Sequence, residues 1–130
     1  MRSPAAGYRL KTSATGRAMT RPELWPGDIV WADLSPTSGR EQSGRRPALV
    51  VSNTTYLDLV TELAVVLPLT TQDRGWDNHI RVGADLPRPS WAMTEQVRTV
   101  DRRRLGGLIA GADDETMDAV RLWLVDFLDP

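Results

Sequence analysis

The chain has 130 residues, a mass of 14.4 kDa, 41% hydrophobic and 25% charged residues, and a formal net charge of −1. That is one globular domain with a modest core, too small for a dinucleotide-binding unit followed by a substrate domain. The absence of cysteine excludes disulfides, thiolate nucleophiles and cysteine zinc sites, and the single histidine, His79, excludes a two-histidine acid–base pair within one chain.

No apolar run reaches the length of a membrane span, and the basic N-terminus lacks the apolar segment of a secretory signal, so the expected location is the cytoplasm. Residues 1–25 carry five basic residues against Glu23, a net of +4, whereas residues 26–130 carry 11 arginines and 16 acids, a net of −5. An acidic domain argues against broad coating of nucleic acid, but it leaves room for a local arginine cluster that focuses the field in one groove. Every basic residue except Lys11 is arginine, which suits two-pronged phosphate contacts and equally reflects a GC-biased genome.

In chain order, residues 1–23 show no periodicity and read as a flexible arm or the product of an upstream start codon, which leaves 24–130 as the folded domain. Pro26-Gly27-Asp28 turns into a first strand over Asp28–Leu34, and a long polar loop fills Ser35–Arg46. Pro47 leads into a short apolar strand, Ala48–Ser52. Asn53–Thr61 connects it to a strand over Glu62–Leu69, which ends in Thr70-Thr71-Gln72. The polar loop Asp73–Asn78 precedes a slight strand pattern at His79–Val82, and Ala84–Ser90 is a proline-rich loop. Ala92–Val100 reads as a strand, and Asp101–Leu108 as one short helical turn. Ala112–Leu128 is a clear helix, capped by Asp113, with Met117, Val120, Leu124, Phe127 and Leu128 on one face. Five or so strands, long polar loops and one C-terminal helix predict a mainly β, small curled antiparallel barrel.

Three segments carry chemistry. Gly39–Pro47 holds Arg40, Glu41, Gln42, Arg45 and Arg46 at the mouth of a strand, where an arginine is held more rigidly than in mid-loop; the ordinary reading is a solvated turn. Thr70, Thr71 and Gln72 offer neutral donors for a phosphate or a base edge, or serve as routine strand-end capping. In Glu95-Gln96-Val97-Arg98, two adjacent polar residues in a strand put one side chain on each face, so one needs an inward partner, unless the strand is an edge with both faces wet. His79 is an acid, a phosphate donor or a structural residue. Trp31, Trp76 and Trp91 are stacking surfaces or plugs. Asp113, Asp114 and Asp118 suit a helix start and resemble no ordered metal loop.

Taken together, these segments resemble the MazF/PemK (Kid) toxins of type II toxin–antitoxin systems. The likeness rests on Pro26-Gly27-Asp28-Ile29-Val30-Trp31, Asp33-Leu34-Ser35-Pro36, Gly39, Glu41-Gln42, Gly44, Arg46–Val51, Leu69–Gln72 and Glu95–Asp101, in the right order over residues 24–128. It implies an SH3-like barrel of the CcdB/MazF type, a homodimer, and metal-independent, sequence-specific cleavage of single-stranded RNA with no cofactor, leaving 2′,3′-cyclic phosphate and 5′-hydroxyl ends. It also implies a cognate MazE-like antitoxin whose disordered C-terminal segment covers the substrate groove.

On this resemblance the catalytic arginine is Arg46, the active-site threonine Thr70 and the loop carboxylate Glu41. Arg40, Gln42, Arg45, Thr71, Gln72, Arg74, Trp76, Asn78, His79, Gln96 and Arg98 are the expected RNA contacts. Arg45 departs from the pattern: some members have histidine there, and arginine is a poor base at neutral pH. RNA supplies its own nucleophile, the 2′-hydroxyl, so the enzyme must align that oxygen with the phosphorus and the leaving oxygen, and stabilise the phosphorane. The competing readings are a CcdB-like toxin that binds DNA gyrase without catalysis, through the helix end around Trp123, Asp126 and Asp129, and a plain RNA-binding module.

Overall fold

A computed structural model describes residues 23–35 and 45–130. Among these residues seven strands form one curled antiparallel sheet: β1 (Asp28–Asp33), β2 (Arg45–Val50), β3 (Leu63–Thr70), β4 (His79–Val82), β5 (Ser90–Met93), β6 (Arg98–Asp101) and β7 (Leu105–Gly111). The order across the sheet is β4-β5-β3-β2-β1-β7, with β6 also on β3. The long strand β3 is the hinge of the curl. Its first half pairs with β6 (Leu63↔Asp101 to Val66↔Arg98) and its last residues pair with β5 (Leu69↔Ala92, Thr70↔Trp91).

The middle of the sheet is buried on both faces, which explains why ALVV and AVVLPL are continuous apolar runs rather than alternating ones. One face packs Val30, Ala32, Ala48, Val50, Ala64 and Val66 against Leu57 of α1 (Thr54–Leu59). The other packs Ile29, Leu49, Leu67, Leu69 and Ala92 against Val120 of α2 (Asp114–Leu128). The predicted cap of α2 is in place: the Asp113 carboxylate accepts the Thr116 amide at 2.8 Å.

Three sequence expectations need correction. The Asn53–Thr61 connector contains α1, six residues long, too short for apolar periodicity to register; Asn53 caps it by accepting the Tyr56 amide at 2.9 Å. The expected strand Ala92–Val100 is broken by a 3-10 turn at Thr94–Gln96, so β5 and β6 are separate, and Trp91 lies within β5 rather than at the end of a loop. Most of the expected helical turn Asp101–Leu108 is strand, with 3-10 geometry only at Arg102–Arg104. The apolar face of α2 is only partly covered within the single chain: Val120 is buried, while Phe127 and Leu128 stay exposed. No helix among the described residues is long and apolar enough to cross a membrane.

Candidate functional site

Arg46 stands at the start of β2, paired across β1 with Ala32, and is exposed. Its guanidinium makes no hydrogen bond or ion pair with another described residue. Thr70 closes β3, half-buried, and its hydroxyl accepts the Gln72 amide at 3.0 Å. The β2–β3 ladder runs Ala48↔Pro68, Leu49↔Leu67, Val50↔Val66. The ladder ends there, and its register, projected two residues further, sets Arg46 opposite Thr70. Strand alternation gives both the face of the first core layer, beyond the point where that layer ends. The row continues outward, because Thr70 pairs with Trp91 and Trp91 pairs with Arg81.

The 36–44 loop, with Arg40, Glu41 and Gln42, lies outside the described residues. Its two roots are well defined. The Asp33 carboxylate accepts from the Ser35 hydroxyl at 2.7 Å and the Ser35 amide at 3.1 Å. These bonds, helped by the charges of Arg104 and Arg45, hold Asp33 below the usual carboxylate range. Arg104 donates to the carbonyls of Asp33 (3.2 Å) and Ser35 (2.8 Å). On the return side, the Arg45 guanidinium lies 5.7 Å from the centre of the Trp31 ring. Gly106 leaves it that room: a Cβ there would come within 3.4 Å of both Arg45 Nη2 and the Trp31 side chain.

The β3–β4 loop is braced from below. Asp73 accepts the Gly75 amide at 3.0 Å, and Gly75 has φ 74°, a left-handed conformation that glycine adopts without strain. The Arg74 guanidinium sits 5.5 Å from the Trp76 ring centre, and that ring leans on His79 at 4.8 Å and 48°. His79 itself is 6% exposed. Its Nε2 faces both Glu95 oxygens at 3.1 Å, while its buried Nδ1 has no hydrogen-bond partner among the described residues. The Asn78 amide nitrogen donates to Glu95 (2.8 Å) and to the Thr94 hydroxyl (3.1 Å), which donates back to the Asn78 carbonyl (2.8 Å). Partial desolvation alone would raise the Glu95 pKa; hydrogen bonds from His79, its own turn and Asn78 outweigh that and lower it.

The expected site residues therefore fall into groups. Arg45, Arg46 and Thr70, with exposed Thr71 and Gln72, gather at the β2–β3 end; Arg74, Trp76, Asn78 and His79 form the adjoining loop. Gln96 is exposed on the 3-10 turn. The Arg98 guanidinium reaches the Leu34 carbonyl at 3.4 Å. The one-per-face expectation for Glu95-Gln96 fails because a 3-10 turn does not alternate; Glu95 reaches its inward partner sideways, at His79. Arg104 and Arg81 were not among the expected residues. Inside the run Arg102–Arg104 nothing in the sequence separates Arg104 from Arg102, whose guanidinium binds the Leu57, Val60 and Leu63 carbonyls. Among the described residues no three or more His, Asp or Glu side chains come together in a way that could hold a metal ion.

The profile of the family described as "PemK-like, MazF-like toxin of type II toxin-antitoxin system" matches residues 26–128. The chain is 38% identical to endoribonuclease EndoA of Bacillus subtilis, over 78% of this chain and 96% of that protein. It is 34% identical to endoribonuclease toxin MazF of Escherichia coli K12, over 65% of this chain and 75% of the relative. Its fold matches crystal structures from Deinococcus radiodurans: MazF (TM-score 0.69, 31% identity, 82% of this chain and 97% of that one) and a MazE–MazF complex (TM-score 0.69, 31% identity, 81% and 95%).

Proposed function

Because the chain belongs to the PemK-like, MazF-like toxin family of type II toxin–antitoxin systems, we propose that it is an endoribonuclease that cuts single-stranded RNA at short recognition sequences. What supports this reading is the register of β2 and β3, which projects Arg46 opposite Thr70 and so sets a guanidinium with no partner among the described residues beside a hydroxyl at the open end of the sheet. The relatives named as endoribonucleases support it.

The reaction needs no metal or cofactor, because the nucleophile is the substrate's own 2′-hydroxyl. That oxygen bonds to phosphorus as its proton passes to a base; the P–O5′ bond breaks, and the 5′-oxygen takes up a proton. The products are a 2′,3′-cyclic phosphate and a 5′-hydroxyl. Arg46 meets the charge that builds on the non-bridging oxygens, where fixed donors act most strongly on a transition state. Thr70 fixes one of those oxygens. Glu41 is the carboxylate for the base; His79 is buried, its ring against Trp76 and its Nε2 on Glu95.

Arg40, Gln42, Arg45, Thr71, Gln72, Arg74, Trp76, Asn78, Gln96 and Arg98 would then hold and read the strand, with His79 acting through Trp76. We read the curled sheet as an SH3-like barrel of the CcdB/MazF type, the domain as residues 24–130, and the site of action as the cytoplasm. A homodimer fits the apolar side chains left uncovered on α2, Leu122 at 70% and Leu128 at 79% exposure. By analogy with the MazE–MazF complex, a MazE-like antitoxin would block the groove with its disordered C-terminal segment.

The test is a recognised oligoribonucleotide carrying a single 2′-deoxy residue at the cut. It should bind within a few-fold of the all-RNA strand and stay intact, since deoxyribose has no nucleophile. Cleavage at the deoxy position would overturn the mechanism.

A further inference from the structure

We propose that Trp91 and Arg81 form a nucleotide subsite next to the reacting phosphate, Trp91 as a stacking surface for an unpaired base and Arg81 as a phosphate anchor. The inference rests on the reading of Arg46 and Thr70 as the reaction centre. Directly paired residues in an antiparallel ladder project from the same face. Thr70↔Trp91 and Trp91↔Arg81 are both such pairs, so the row that begins at Arg46 runs on over β3, β5 and β4 without changing face. At a strand spacing of about 4.8 Å, Arg81 stands roughly 14 Å from Arg46 along that row. That places it beyond the phosphate held at Arg46 and Thr70, where a neighbouring nucleotide of an extended strand would lie.

The chemistry of the pair fits an RNA strand. Trp91 is half-buried, so its ring is fixed in the sheet and loses little freedom when a base stacks on it. The exposed Arg81 guanidinium lies 5.5 Å from the ring centre, within cation–π range. A guanidinium held over a ring can also lie against a base that shares the ring, or swing to the adjoining phosphate. No carboxylate is paired with Arg81 among the described residues, whereas Arg103 and Arg121 are held by Asp101 and Asp118. In a domain with a net charge of −5 over residues 26–130, two arginines on one row with no carboxylate partner among the described residues make a local positive track.

The experiment compares wild type, Arg81→Ala, Arg81→Glu and Trp91→Leu on a single-stranded RNA substrate and on its uncleavable 2′-O-methyl analogue. Arg81→Ala should raise KM about tenfold and lower kcat far less. It should also flatten the dependence of log affinity on log salt by about 0.7, the loss of one phosphate contact on a single strand. Arg81→Glu should weaken binding further. Trp91→Leu should weaken binding with the salt slope unchanged. Substrates shortened one nucleotide at a time should lose the Arg81 penalty at one defined length, which general destabilisation would not produce. Wild-type KM and salt slope in both Arg81 variants would overturn the subsite, as would a penalty independent of substrate length. Failure of the reaction-centre reading looks different: Arg46→Ala would then cut as well as wild type. Binding to the uncleavable analogue tests the subsite in either case.

Discussion

Glu95 takes two donors at once, Nε2 of His79 and the amide of Asn78, and so ties the 3-10 turn to the loop that carries Arg74 and Trp76. Glu95→Ala leaves His79 Nε2 without its acceptor and Asn78 with only the Thr94 hydroxyl, in a partly buried setting, and a loss of about 2 kcal/mol is expected. The effect has a signed pH dependence. The folded carboxylate titrates below its ordinary value of 4.5, so its contribution is complete above that pH and disappears as pH falls through the lower folded value. Melting temperatures of wild type and Glu95→Ala should therefore differ most at neutral pH and draw together as pH falls below 4.5. A gap unchanged down to pH 3 would refute the assignment. At this scale the sequence was informative where a residue's place in a strand is fixed by neighbours. Arg46 precedes Pro47 and an apolar strand, and Thr70 ends one. It was uninformative for Arg81, which in His-Ile-Arg-Val looks like any exposed strand residue, and for Arg104, one of three consecutive arginines. What distinguishes them is a partner 10 or 71 residues away: Trp91 for Arg81, the Asp33 carbonyl for Arg104.

Among the elements, α2 was readable because 15 residues are long enough for its apolar face to repeat and for its cap to stand out. Asp113→Ala removes that cap, which typically costs about 1 kcal/mol. Denaturant midpoints should fall accordingly with the m-value unchanged, and a wild-type midpoint would show that the cap contributes nothing. The short elements were not readable. Six-residue α1 carries only one buried side chain, Leu57. Strand β7 begins Leu-Gly-Gly, with no alternation and little burial, and is held by its pairing with β1. The long apparent strand 92–100 was misread because its polar pair sits in a 3-10 turn. That break redirects β5 and β6 onto different stretches of β3, and so helps to curl the sheet.

For the whole molecule, two layers of apolar packing leave one open end, where β2 begins and β3 finishes. The cross-strand row at that end carries positive charge on a domain that is acidic in sum. An open groove of about 1270 Å³ runs beside α1 and α2, lined by Tyr56, Val97, Val120, Leu124 and Phe127, and further apolar side chains of α2 are exposed. The family and the curled β architecture were legible in the sequence because several motifs occur in order at workable separations. The reach of the nucleotide track was not, since it depends on registers among β2, β3, β5 and β4 that no local pattern sets.

The most direct measurement is cleavage of a long single-stranded RNA by the purified protein in excess EDTA, beside Arg46→Ala, with analysis of the product ends. The proposed reaction gives discrete cuts with 2′,3′-cyclic phosphate and 5′-hydroxyl ends, reduced at least a hundredfold in a folded Arg46→Ala protein, as expected when a fixed donor to a transition-state anion is removed. Cleavage that stops in EDTA, or that survives undiminished in Arg46→Ala, would contradict it.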